Sequence, residues 1–211
     1  MSRTIESHRD YAQRWASAWE RQAAVRARPI GEGQLAERAR QLFEELAYAG
    51  VRESDVRDIR LLKARMENER LPRGIEAVRH VKLGPGGLTD VEWTIQLMQM
   101  RAGGRYPALR TPSTTRAIEA ARDEGLLDPS DAQTLLHAWD MATRIRAANV
   151  LASGRMSGVK LDVLPRDSVE LRGLAAILGY GSGGLTALEE EWLRAGRQAR
   201  DVMERVFWEQ Q

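Results

Sequence analysis

Five residues of the stretch KLGPGGLTDVEW have types and spacing that could do chemistry: Lys82, Gly86, Gly87, Asp90 and Glu92. A glycine turn that opens a helix can bind phosphate, because helix N-termini carry free N–H groups and the positive end of the dipole. Lys82 would add a point charge. The Asp90 and Glu92 carboxylates could accept Mg²⁺, or favour the helix start by opposing its dipole. The same glycines could instead let two backbones approach closely. Both readings stand at this level. Lys82 is expected to face solvent and Asp90 to sit at an open helix start, so that replacing either should cost below about 1 kcal/mol.

Other chemistry finds less support. His8, His80 and His137 are the only histidines and lack metal-ligand spacing, which makes surface or cap roles the expectation. No nucleophile elbow, P-loop or dinucleotide fingerprint is present. The acid pairs Asp55 with Asp58 and Asp128 with Asp131 read as caps and dipole partners. The arginine clusters around Arg21, Arg57 and Arg144 read as solvated faces with i to i+4 partners. The chain has no cysteine, so disulfides and thiolate chemistry are excluded. Its 32 basic and 30 acidic residues leave a net charge of only +2, weak grounds for a nucleic-acid partner. No apolar run suits a membrane span, and the first residues lack a signal-peptide core, so the cytoplasm is the expected compartment.

The elements that would carry these residues read as helices throughout, an all-α bundle of about six to eight helices. One helix is expected over 5–28, with Tyr11, Trp15, Trp19, Gln22 and Val25 inward, ending at Pro29. Others follow over 33–49 with Gly50 as cap, 54–71, 90–101, 112–124, 128–152, 167–179 and 185–208. Thr89 and Glu92 have the spacing of a capping box, and Asp128-Pro129 is a strong start signal. The residues from 78 to 83 read as a short extended stretch, those from 153 to 166 as a surface loop, and GYGSGG (179–184) as a flexible joint. The expected division is 1–50 as N-terminal helices and 51–211 as a helical bundle, forming one continuous all-α unit.

Four segments together resemble the glutamine synthetase adenylyltransferase family. They are WASAWERQAAVRARPIGEG (15–33), DVRDIRLLKARMENERLP (55–72), HVKLGPGGLTDVEWTIQLMQM (80–100) and ALRTPSTTRAIEAARDEGLL (108–127). The glycine turn followed by Asp-hydrophobic-Glu looks like that family's signature. A related Gly-Gly-Leu-x-Asp turn occurs in the uridylyltransferases of PII signal proteins. The tail RQARDVMERVFWEQ is similar to the last helix of the actinobacterial branch.

The resemblance implies a specific place in a larger enzyme. Such enzymes are bifunctional, with two nucleotidyltransferase domains each followed by a helical domain; this chain looks like the helical domain after the adenylylating half. The implied reaction transfers AMP from ATP to a tyrosine of glutamine synthetase and removes it by phosphorolysis, with ATP and Mg²⁺ belonging to the parent. These transferases hold their metals through Gly-Ser-x-x-Asp-x-Asp on a strand. Here the only Gly-Ser, Gly181-Ser182, runs on as Gly183, Gly184 and Leu185. The chain is therefore expected to be a part without catalytic or metal residues and with no cofactor of its own. Lys82, Gly86, Gly87, Asp90 and Glu92 become its candidates for a domain contact or a nucleotide-proximal surface. Residues 1–50 would form the junction with the nucleotidyltransferase domain. Implied partners are that domain, glutamine synthetase and a PII-type signal protein. The competing expectation is a stand-alone helical interaction module binding glutamine synthetase or a PII-type protein.

Overall fold

A computed structural model describes residues 4–181 and 184–209. Among them are nine α-helices and no strand, as expected of an all-α chain. They are α1 (Ile5–Arg14), α2 (Ala18–Ala24), α3 (Gln34–Tyr48), α4 (Glu53–Glu69), α5 (Leu88–Ala102), α6 (Thr114–Asp123), α7 (Pro129–Ser153), α8 (Ser168–Ile177) and α9 (Gly184–Met203). A π-helical turn, Glu204–Glu209, continues α9. Of the GYGSGG joint, Ser182 and Gly183 lie outside the described residues.

The expected first helix is broken in two. Ser17-x-x-Glu20 is itself a helix start: the Glu20 carboxylate accepts from the Ser17 N–H at 2.9 Å and from its hydroxyl at 2.8 Å. These bonds, the Ser17 N–H first, hold the Glu20 carboxyl below its ordinary pKa. The break also turns the aromatic residues outward. Trp15 is 75 % exposed and Trp19 56 %, whereas Gln22 and Val25 are buried as the pattern predicts. Most other boundaries follow their caps. Asp128 accepts from the Ser130 N–H at the head of α7, and Asp167 from Val169 and Glu170 at the head of α8. Gly50, Gly125 and Gly179 follow helix ends with φ of 85°, 70° and 85°, the left-handed turn that glycine tolerates.

By packing, the chain divides into two units discontinuous in sequence, Met1–Lys63 with Ile95–Leu127, and Ala64–Thr94 with Asp128–Gln211. The first unit buries Leu42, Val56, Ile59, Ile95, Met100 and Ile118. Its polar interior is satisfied: Gln22 donates to Gln96 at 2.9 Å, and Gln99 to the carbonyls of Leu109 and Thr111. Asp55 pairs with Arg21 and Arg52, with the Arg52 hydrogen bond the largest influence lowering its pKa.

In the second unit α7, α8 and α9 pack on one another around Ile145, Leu171, Leu174, Leu188 and Trp192. The segment 153–166, expected as a surface loop, is only partly one. Leu164 is fully buried in this core, and Asn149 ties the segment down by donating to the carbonyls of Leu161 and Val163. The stretch after α4 is not extended as a whole. It makes a 3₁₀ turn, Ala77–Arg79, and then a single antiparallel bridge from His80 to Val163. Arg79 secures that bridge by donating to the Leu164 carbonyl at 3.0 Å while pairing with Glu189.

Candidate functional site

The glycine turn before α5 is built by close backbone approach. Gly86 has φ +69°, and a Cβ there would collide with the backbone of Gly196 in α9, standing 2.7 Å from its Cα. Gly84 has no room either, because a Cβ would run into the carbonyl oxygens of Ala77 and His80. A side chain at either position would push the turn off its neighbours. Gly196 is the matching partner, since its own Cβ would stand 3.2 Å from the Pro85 oxygen.

The helix start that might have faced a ligand is closed by this turn. Leu88 N–H donates to the Val81 carbonyl at 2.9 Å, Thr89 N–H to Lys82 at 3.0 Å and Asp90 N–H to Gly87 at 3.0 Å. These donors are used within the fold. The expected capping box of Thr89 and Glu92 is not formed: Thr89 lies inside the helix, and its hydroxyl donates to the Lys82 carbonyl at 2.8 Å. Asp90 does the capping instead, its Oδ2 accepting from the Gly86 N–H at 2.8 Å. Local spacing pointed to Thr89 because a capping box assumes an N-cap hydroxyl; here the turn glycine's N–H is reached from within the helix.

Asp90 is 1 % exposed, which corrects the expectation of an open helix-start carboxylate. Its charge is met by Arg200, whose Nη1 lies 3.1 Å from Asp90 Oδ2 and 2.7 Å from Glu67 Oε1. The same guanidinium reaches Glu204 at 2.7 Å. Burial opposes the Arg200 charge, but the Glu67 hydrogen bond and the Asp90 and Glu67 carboxylates outweigh it and raise its pKa. Of the five candidates, Gly86 and Asp90 are brought together against α9, while Gly87 is packed within the turn, where a Cβ would meet the carbonyl oxygens of Val81 and Gly84. Lys82 has an exposed side chain, as expected, and Glu92 is half-buried. Sequence reading missed Arg200, Glu67 and Gly196. Gly196 had a signal, an isolated glycine inside the apolar stripe of a helix; Arg200 had none.

His80 is buried, contrary to a surface role, and does cap backbone. Its Nδ1 accepts from the Leu83 N–H at 3.1 Å and weakly from that of Lys82 at 3.4 Å. Burial, only partly offset by Asp162, lowers its pKa.

Among the described residues no group of three or more His, Asp or Glu could hold an ion. Asp128 is engaged as a cap, and Asp131 pairs with Arg205. No helix among them is long and apolar enough to cross a membrane.

The profile of the family described as GlnD PII-uridylyltransferase matches residues 60–209. Among curated proteins, the bifunctional glutamine synthetase adenylyltransferase/adenylyl-removing enzyme of Streptomyces coelicolor is 45 % identical over 209 residues, 98 % of this chain and 20 % of the relative. The enzymes of the same name from Leifsonia xyli subsp. xyli and Cutibacterium acnes are 44 % and 42 % identical, over 98 % and 100 % of this chain and 20 % and 21 % of theirs. The chain thus spans about a fifth of the length of these relatives. With a glycine turn locked onto α9 where the resemblance is most specific, and matches across nearly its whole length, the chain belongs to the family of bifunctional glutamine synthetase adenylyltransferase/adenylyl-removing enzymes, as a segment of the kind its GlnD PII-uridylyltransferase profile describes.

Proposed function

We propose that this chain is the helical regulatory and positioning part of a bifunctional glutamine synthetase adenylyltransferase, and that it does no nucleotidyl transfer by itself. The parent enzyme would transfer AMP from ATP to a tyrosine of glutamine synthetase and remove it by phosphorolysis, using Mg²⁺ held by its nucleotidyltransferase domains. One observation carries the reading: the family-like Gly-Gly-Leu-Thr-Asp segment is spent on a joint, its N–H groups bonded internally and its Asp90 buried against Arg200. Such a joint suits holding a surface in place, which is how a remote domain contributes to catalysis by orientation. Lys82 at its exposed edge, Glu92 beside it, and the open Trp15 and Trp19 of the N-terminal helices are the residues that would meet the neighbouring domain. A PII-type signal protein would act through the same helical surfaces.

The test uses labelled ATP. The isolated chain should transfer no label to glutamine synthetase above a heat-killed control, while a full-length enzyme carrying Lys82→Ala should lose transfer rate or effector response with an unchanged melting temperature. Mg²⁺-dependent labelling by the isolated chain would overturn the reading.

A further inference from the structure

A groove of about 540 Å³ runs along α9 beside the glycine turn. Its apolar lining is Val78, Pro85 and Leu193, of which Val78 and Pro85 are exposed. The lining is set before any partner arrives: Trp192 Nε1 donates to the Val78 carbonyl at 2.9 Å, and Pro85 sits in the turn that Gly86 seats on Gly196. Arg194 and Arg197 also line the groove, one helical turn apart and exposed. Arg200 and Arg205, further along the same helix and its π turn, are matched by Glu67, Asp90, Glu204 and Asp131. Arg194 and Arg197 enter no ion pair among the described residues. Two unmatched guanidinium groups beside a preformed apolar lining make a recognition surface.

We propose that this groove receives an acidic protein segment, seating an apolar side chain on Val78, Pro85 and Leu193 with a carboxylate on each of Arg194 and Arg197. The inference rests on the positioning reading: the segment belongs to the nucleotidyltransferase part that the chain positions. The chemistry selects against other ligands. No aromatic ring lines the groove for a base to stack on. Gln198 adds an amide that can serve a peptide backbone. A free anion would use the guanidinium groups but leave the apolar lining wet.

The experiment places a photo-reactive benzoylphenylalanine at Gln198 in the full-length enzyme and identifies the crosslinked peptide by mass spectrometry. A peptide of the nucleotidyltransferase part carrying two or more Asp or Glu around an apolar residue is expected. Its yield should fall at least about fivefold in Arg194→Glu/Arg197→Glu and with added salt, while Arg172→Glu on α8 leaves it unchanged. A crosslink only to glutamine synthetase, to a neutral or basic segment or to nucleotide overturns the inference, as does a yield no higher than from the same probe at Arg172. Both variants exchange exposed side chains, so circular dichroism should match the parent; a collapsed fold in the double variant moves the test to Arg194→Gln/Arg197→Gln. AMP transfer is measured beside it, with and without this chain's residues. Transfer that ignores the chain sinks the positioning reading; dependent transfer with the wrong crosslink sinks only the groove.

Discussion

The glycine turn of the second unit and the α1–α2 junction of the first are both helix junctions rich in local signals, yet they are held in opposite ways. At the turn, backbone meets backbone at Gly86 and Gly196, and the Asp90 charge is buried under Arg200. At the α1–α2 junction, α1 has no buried residue, its ion pairs Arg9–Glu45 and Arg38–Glu6 lie in solvent, and Trp15 and Trp19 stand open. The first junction is determined by shape and desolvated charge, which tolerate little change. On its α1 side the second is held by local caps and exposed pairs that contribute little each, which leaves its aromatic surface available.

That contrast breaks most sharply at Gly86. Gly86→Ala combines a left-handed φ with a collision against α9, and about 3 kcal/mol or more should be lost in urea unfolding. A change near zero would mean that the turn is not seated on Gly196. Next comes Asp90→Ala, which removes the buried acceptor of Gly86 N–H and one partner of Arg200. Because Arg200 is partly exposed and keeps Glu67 and Glu204, the loss should be about 2 kcal/mol rather than the full value for an orphaned buried charge. Asp90→Asn, first expected to be nearly silent, should also destabilise measurably.

A smaller effect is expected from pH at His80. Its folded pKa lies below the ordinary value of 6.5, so its contribution is present above pH 6.5 and lost as pH falls through the folded pKa. Melting temperature should drop on acidification below pH 6.5, and His80→Asn, whose side-chain oxygen can still accept from Leu83, should flatten that slope. An unchanged slope would assign it to other groups. The smallest effect belongs to the α1–α2 junction: Trp15→Ala and Trp19→Ala should each shift stability by about 0.5 kcal/mol or less. In the full-length enzyme the same changes should lower AMP transfer if residues 1–50 form the domain junction. A large loss of stability in the isolated chain would show that these rings are packed and erase the comparison.

What could be read from sequence, and what could not, divides along the same line. Asp128-Pro129 and Ser113 marked helix starts because a capping side chain bonds N–H groups only two or three residues away. Ser17-x-x-Glu20 is an equally local signal, but the apolar spacing runs on through it and by itself predicts one helix with Trp15 and Trp19 inward. Leu164 was missed because a single apolar residue in an irregular loop has no period to reveal it.

The glycine turn shows the limit most clearly. Its sequence determined that a sharp bend would precede a helix, expected from Asp90 and found from Leu88, since glycine and proline restrict that choice locally. Whether the helix start faced a ligand or the protein's own interior depended on Arg200, 110 positions from Asp90, and on Gly196. No spacing rule relates residues so far apart in the chain. Their meeting follows from how α9 packs in its unit, and only the tertiary structure decides that an aspartate with an ordinary cap position becomes a buried, charge-matched one.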